Sequence, residues 1–160
     1  MSDAVTIRPA RPEDVPTIVS LIGALAEYEK MADECHADAS ALARHLFGER
    51  AHAEVLIAEA GSVPAGFALF FHNYSTFLTK PGIYLEDLFV KPEFRGLGIG
   101  RDLLAALASL ALARGCGRLE WSVLKWNEPA IGFYRKLGAV PMDEWQVFRL
   151  AGDALTKLGS

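Results

Sequence analysis

From Tyr84 to Gly100 the chain reads Tyr84-Leu85-Glu86-Asp87-Leu88-Phe89-Val90-Lys91-Pro92-Glu93-Phe94-Arg95-Gly96-Leu97-Gly98-Ile99-Gly100, an apolar strand feeding a glycine-rich turn that opens a long helix. Those residue types make an anion site. The unpaired N–H groups of a helix's first turn carry partial positive charge, glycines let a pyrophosphate reach them closely, and Arg95 adds a full charge. A Walker loop requires Lys followed by Ser or Thr after its last glycine, whereas Gly100 is followed by Arg101 and Asp102. The dinucleotide fingerprint needs a further glycine where this chain has Arg101 or Leu103, depending on the starting pair. What remains is Arg-x-x-Gly-x-Gly, carried by Arg95, Gly98 and Gly100.

A second informative stretch lies downstream: Trp126-Asn127-Glu128-Pro129-Ala130-Ile131-Gly132-Phe133-Tyr134-Arg135-Lys136-Leu137-Gly138-Ala139. It places an Asn before a short helix that carries a phenol. The two stretches, in this order and spacing, resemble the acetyl-CoA loop and the second signature of the GNAT superfamily of N-acetyltransferases. Tyr84 to Val90, then Arg95 to Gly100, then Trp126 to Pro129 are most similar to its diamine acetyltransferase branch, which includes the spermidine/spermine and thialysine N-acetyltransferases. The resemblance covers nearly the whole chain. It implies an α/β fold with a mixed seven-stranded sheet splayed at its centre and flanked by helices, a homodimer, and acetyl-CoA lying in the splay.

The same resemblance implies the site. The backbone around Leu88, Phe89 and Val90 would hold the pantetheine arm, and Arg95, Gly96, Leu97, Gly98, Ile99, Gly100 and Arg101 would bind the pyrophosphate. Asn127, Glu128, Pro129, Ala130 and Lys136 would add cofactor contacts. Tyr134 matches the position that returns a proton to the departing CoA thiolate, and the backbone at Leu88 is the expected oxyanion donor. Tyr28 and Glu29 match residues that line the amine pocket. The bland reading of Tyr134 is a packed helix tyrosine, and that of Tyr28 and Glu29 an exposed helix end.

Only a neutral amine attacks a thioester, and a free primary amine has a pKa near about 10.4, so the site must take a proton. Glu86 is the candidate, to hold the ammonium, to accept its proton through a water, or to do both. Strand alternation puts it on the same face as Leu88 and sends Asp87 to the opposite face, where Asp87 is expected to be solvated or ion-paired and is read as structural. The stretch His72 to Phe77 resembles the substrate-facing loop of the branch. Polyamine-specific members place an acidic residue there, and Thr76 stands about where it would be, which favours shorter amines or thialysine-like amino acids. The alternatives are a protein N-terminal or lysine acetyltransferase and a non-catalytic acyl-CoA sensor.

Other residues carry less chemistry. His36, His45, His52 and His72 show no metal-ligand spacing, so no metal is expected. Cys35 and Cys116 match no disulfide or redox pattern and read as reduced thiols of a cytoplasmic protein, with Cys116 inert between two glycines.

The elements that must position these groups follow from periodicity. Val5 to Arg8 alternates as a strand. A helix opening at Arg11 to Asp14 carries the stripe Val15, Ile18, Val19, Ile22 and Leu25. Asp38 to Phe47 reads as a second helix. Val55 to Ala60 and Gly66 to Phe71 read as a hairpin turning at Gly61 to Pro64, and Ile83 to Val90 as a further strand. A helix from about Gly100 to Arg114 buries Leu103, Leu104, Leu107, Leu110 and Ala111, and Gly115 to Gly117 stop it. Leu119 to Leu124 reads as a strand, Pro129 to Leu137 as a helix, and Gln146 to Leu150 as a last strand before a polar tail.

The 160 residues are 51% hydrophobic and 22% charged, which suits one globular domain over 1–160 and excludes a disordered or fibrous chain. The net charge of -4 argues against nucleic acid and for a cationic partner. Met1 to Arg8 lacks the pattern of a signal peptide, and no apolar run is long enough to span a bilayer, so no membrane partner is expected.

Overall fold

The computed structural model describes residues 4–160, so the first three residues of the Met1–Arg8 stretch lie outside the described residues. The chain forms two compact units, Met1–Ser122 and Val123–Ser160. In the first, strands β1 (Val5–Pro9), β2 (Glu54–Ala60), β3 (Val63–Ser75), β4 (Lys80–Val90) and β5 (Leu119–Trp121) lie side by side in that order. The first four are antiparallel, and β5 joins β4 in parallel. A parallel neighbour needs a crossover, which helix α3 (Ile99–Ala113) provides.

Helix α1 (Val15–Tyr28) and helix α2 (Ala39–Phe47) cover one face of this sheet. The 3.6-residue period brings Val15, Ile18, Leu21 and Leu25 inward, and Ile18, Leu21 and Leu25 pack in one cluster with Leu46, Val55, Ile57, Phe67 and Phe89. Val19 and Ile22 sit at the margin of the stripe, half-buried. At the entry to α1, Arg8 reaches from β1 to Asp14 (2.7 Å) and to Glu59 of β2 (2.6 Å), and the Arg11 N–H donates to Asp14 (2.7 Å). The Arg8 guanidinium holds the Asp14 carboxyl at about 2. Asp38 caps α2 by accepting from the Ala41 N–H. On α3, Ile99, Leu103, Leu104, Leu107 and Ala111 are buried, while Leu110 stays half-buried. Gly115, at φ +71°, ends the helix, and the Cys116 N–H turns back to the Ala111 carbonyl.

The second unit contains helix α4 (Glu128–Lys136) and helix α5 (Gly152–Leu158). Asn127 caps α4 by accepting from the Ala130 N–H (3.4 Å), and Gly138, at φ +93°, closes it.

Several expectations are corrected. The β2–β3 turn is shorter than Gly61 to Pro64, since β3 already begins at Val63. Strand β3 runs on to Ser75, so His72 to Ser75 is strand rather than loop, and only Thr76 to Thr79 forms the turn. Among the described residues the sheet has five strands rather than seven. Gln146 to Leu150 is not a strand, and part of the expected polar tail is α5. A β-pattern becomes a strand only where a neighbour supplies the ladder, and no paired neighbour of Gln146 to Leu150 exists among the described residues.

Candidate active site

Between β3 and β4 the residue pairs run Phe67 with Phe89, Ala68 with Leu88 and Leu69 with Asp87, then step to Phe70 with Leu85 and Phe71 with Tyr84. Glu86 is therefore an extra residue, a β-bulge in β4. Directly paired residues share a face. Leu69 and Phe71 lie on one face of β3, so Asp87 and Tyr84 share that face as well. Tyr84 and Glu86, two apart on the unbulged side, also share it. The expected opposition of Glu86 and Asp87 is thus corrected: the bulge breaks the alternation and turns both carboxylates to the α1 face. It also separates Glu86 from Leu88, which pairs with Ala68 on the other face.

Glu29, which follows the last turn of α1, stands near enough to feel both. Burial, then the negative charges of Glu86 and Glu29, push the Asp87 carboxyl up to about 6. Glu29 is raised as well, by burial first and then by Glu86. Asp87 is therefore not an ordinary structural carboxylate. A patch where the charge of Glu86 raises both Asp87 and Glu29, and Glu29 raises Asp87 as well, is short of a cation.

Beyond the bulge the sheet opens. Strands β4 and β5 pair only at Ile83 to Leu85 with Leu119 to Trp121, leaving Glu86 to Val90 without a ladder on that side among the described residues. This is the splay, and Leu88, Phe89 and Val90 border it. At the far end of β4 the chain makes a 3-10 turn at Pro92–Phe94 and enters the glycine loop. Gly96 and Gly98 have φ of +83° and +82°, the left-handed region open to glycine, and Gly98 is the N-cap of α3. Gly100 has no such backbone demand, and a Cβ there would meet only Val90 Cγ2, at 3.9 Å. No protein atom requires its missing side chain. The absence clears space before the free N–H groups of Ile99, Gly100 and Arg101, the arrangement that a pyrophosphate needs. Leu97 is exposed on the loop.

Arg95 is held on the protein. Its Nε donates to the Val90 carbonyl (3.0 Å), and its guanidinium lies over the rings of Tyr28 (4.9 Å) and Phe89 (5.6 Å). The expected amine-side residue Tyr28 and the expected cofactor residue Arg95 are therefore joined directly, which their separation in sequence gave no means to foresee. His72 pairs with Ile83 and lies 3.3 Å from Arg114, which also grips Glu54 through both nitrogens (2.7 and 2.9 Å). Its face of β3 is opposite to that of Leu69 and Phe71, away from the three carboxylates. Among the described residues no group of three or more His, Cys, Asp or Glu side chains could hold a metal ion.

In the second unit α4 carries Tyr134 half-buried, its ring 5.6 Å from that of Phe133. Asn127 is the helix cap, with Glu128, Pro129 and Ala130 forming the first turn and the exposed Lys136 the last residue. Cys116 is buried and Cys35 partly exposed, both as free thiols.

Comparison with known proteins agrees with this architecture. The model of the acetyltransferase (GNAT) family matches residues 22–139. The chain is 40% identical to a thialysine N-epsilon-acetyltransferase of Bos taurus, covering 96% of each protein. It is 36% identical to an L-ornithine N5-acetyltransferase of Arabidopsis thaliana, covering 93% of this chain and 85% of that one. Among solved structures, an integron cassette protein from the mobile metagenome of V. cholerae superimposes with a TM-score of 0.82 at 30% identity, covering 97% of both chains. A glycine loop opening α3, a splay between β4 and β5, and this similarity over the full length lead to one conclusion: the chain is an acetyltransferase and belongs to the GNAT family.

Proposed function

We propose that this enzyme transfers the acetyl group of acetyl-CoA to the terminal primary amine of a small basic molecule, a thialysine-like amino acid, a diamine or a polyamine. The observation that carries the substrate class is the bulge at Glu86, which gathers Glu86, Asp87 and the influence of Glu29 on one face. Three carboxylates make a local field for an ammonium group. Relatives named for thialysine and L-ornithine, both with a terminal amine, support the same class.

In this reading Glu29 and Asp87 hold the ammonium, and Glu86, the exposed member, accepts its proton through water. The freed nitrogen lone pair forms the new C–N bond at the thioester carbonyl, the C–S bond breaks, and the nitrogen loses its second proton to solvent, from which the proton donor to the thiolate is replenished. Backbone N–H groups at the splay, at Leu88 above all, steady the negative oxygen. The glycine loop and the first turn of α3, residues 96–101, hold the pyrophosphate, and Tyr134 gives a proton to the departing thiolate. Asn127 to Ala130 and Lys136 take the further cofactor contacts. We read residues 1–160 as one catalytic domain, which the family match from 22 to 139 supports by running through both units. Its two free thiols fit a cytoplasmic protein.

The test is free-thiol release from acetyl-CoA by the purified chain with thialysine, lysine, ornithine, diamines, spermidine and peptides. Release with the small amines supports the reading. Turnover confined to peptides would move the substrate to proteins, and tight CoA binding without turnover on any amine would make the chain a sensor.

A further inference from the structure

Strand β4 directs its backbone groups to two sides. The Lys91 N–H donates to the Ala65 carbonyl (2.8 Å), and the same ladder runs back through Phe89 and Asp87, so Leu88 and Val90 turn their backbone groups to the open side. A pantetheine arm that leaves the glycine loop and follows this edge past Val90 and Leu88 is led to the place where β4 and β5 meet, at Leu85 and Trp121. At about 3.3 Å per residue, the run from Val90 to Leu85 is roughly 15 Å, a distance that an extended pantetheine covers. The acyl group then comes to rest at the apex of the splay.

That apex carries a contact that the ladder does not require. The Tyr84 and Ser122 hydroxyls lie 2.7 Å apart, one donating to the other, and bridge the two strands on the face that holds Glu86 and Asp87. Register explains the meeting. Tyr84 pairs with Glu120, and Ser122, two residues on, returns to the same face. The phenol is held in place by its cross-strand partner Phe71, with ring centroids 5.3 Å apart. Past Leu85 and Trp121 no backbone pair joins β4 to β5 among the described residues. The bridge is therefore the last tie before the strands part, and its place fixes how deep the splay reaches.

We propose that the Tyr84–Ser122 hydroxyl bridge closes the apex of the splay and sets the length of acyl chain that the enzyme accepts, admitting acetyl and turning away propionyl and longer thioesters. The inference rests on acetyl-CoA occupying the splay, as in the function proposed above, and adds which acyl donors fit there. An acetyl methyl stops short of the bridge, and each further methylene must push between the two hydroxyls. With the cofactor in place water is shut out of the fork, so parting the pair leaves two polar groups without partners. One methylene in a fitted pocket changes kcat/KM by about 10- to 200-fold. Tyr84 and Ser122 act here by shape, and neither exchanges a proton with the reactants.

Two measurements test this in the parent, Tyr84→Phe, Ser122→Ala and Ser122→Thr: initial rates with acetyl-CoA and propionyl-CoA at saturating thialysine, and the dissociation constants of both thioesters without amine. The parent should favour acetyl-CoA about tenfold or more in each. Tyr84→Phe and Ser122→Ala should both narrow that preference at least fivefold, and the double variant should narrow it no further, since either deletion already removes the bridge. Ser122→Thr keeps the hydroxyl and should restore it. A general loss of stability would slow both donors alike and leave the ratio unmoved. A parent that does not discriminate overturns the inference, as does a ratio unchanged in both hydroxyl deletions, or a change confined to the KM for the amine. If thialysine is not turned over, the two dissociation constants decide by themselves. A parent that binds neither thioester would refute this inference together with the function on which it rests, whereas acetyl transfer with an unmoved ratio would refute the inference alone.

Discussion

Glu86 and Asp87 are consecutive in the chain and face the same side of β4, because Leu69 stands opposite Asp87 and Phe70 opposite Leu85. A regular strand would have sent one of them to each face. The bulge concentrates negative charge on that face, and the free protein bears the cost of holding Asp87 among other carboxylates.

That cost has a sign and a pH window. The Asp87 carboxyl, at about 6 in the fold against 3.8 in an ordinary environment, binds its proton more tightly when folded. The folded state is therefore favoured at low pH, and stability falls as pH rises between those two values, with the full loss above about 6. Asp14, held at about 2, acts in the opposite sense and only as pH falls below about 4. Asp87→Asn should raise the unfolding free energy at pH 8 by up to about 2–3 kcal/mol, since one pKa unit is about 1.4 kcal/mol. At pH 4 it should leave stability nearly unchanged. The same variant should raise the KM for a cationic amine about tenfold and leave that for acetyl-CoA alone. Thermal unfolding at the two pH values and steady-state kinetics check both halves, and a variant less stable at pH 8 would refute the assignment.

Gly100→Ala separates function from folding. A Cβ at this position meets one methyl group at ordinary contact distance, the backbone is unstrained, and alanine favours a helix over glycine by about 1 kcal/mol. The variant should melt at or above the temperature of the parent while its KM for acetyl-CoA rises at least tenfold, because the methyl group stands where the pyrophosphate must come. Gly66→Ala is the contrasting control: its Cβ would lie 2.5 Å from the Phe89 carbonyl oxygen, so it should destabilise the sheet. A Gly100→Ala enzyme with unchanged acetyl-CoA kinetics would remove the loop from the cofactor site.

The sequence made the glycine loop, the α3 stripe and the short helix after Asn127 legible because each is written in local residue types within a few positions of one another. Leu103, Leu104 and Leu107 recur at the helical period and are buried as that period demands. The bulge was not legible. It depends on β3 offering Leu69 and Phe70 to three residues of β4, a relation between segments that alternation along one strand cannot contain. His72 was misread for a related reason, since its aromatic and polar neighbours resemble a loop while pairing with Ile83 makes it strand. The stretch Gln146 to Leu150 has the composition of a strand, and what it lacks is a neighbour among the described residues, a property that composition does not record.

Tyr134→Phe removes one hydroxyl and keeps the ring that packs beside Phe133. If the hydroxyl supplies the proton to the leaving thiolate, kcat should fall about 100-fold, within the usual range for a general acid, and the alkaline limb of the pH profile should change shape. The unfolding temperature should move little. Unaltered turnover with an unaltered profile would reduce Tyr134 to packing.

Arg95 joins the glycine loop to the end of α1 through contacts that can be cut one at a time. Its guanidinium lies 4.9 Å from the Tyr28 ring, while its Nε is tied to the Val90 carbonyl at 3.0 Å, so the side chain that leads into the glycine loop rests on the last turn of α1. An exposed cation–π contact contributes about 0.5–1 kcal/mol, which corresponds to a two- to fivefold effect on binding. Tyr28→Leu should raise the KM for acetyl-CoA by that factor although the residue lies on the amine side, and Tyr28→Phe should restore it, because a phenyl face serves the guanidinium as a phenol does. Arg95→Lys should raise it too: an ammonium cannot donate to Val90 and stack on Tyr28 with the same planar group. Initial rates at varied acetyl-CoA and fixed saturating amine measure the effect. If Tyr28→Leu changes only the amine KM, the stack is a resting contact that is broken before acetyl-CoA binds, and the two sites are not coupled through it.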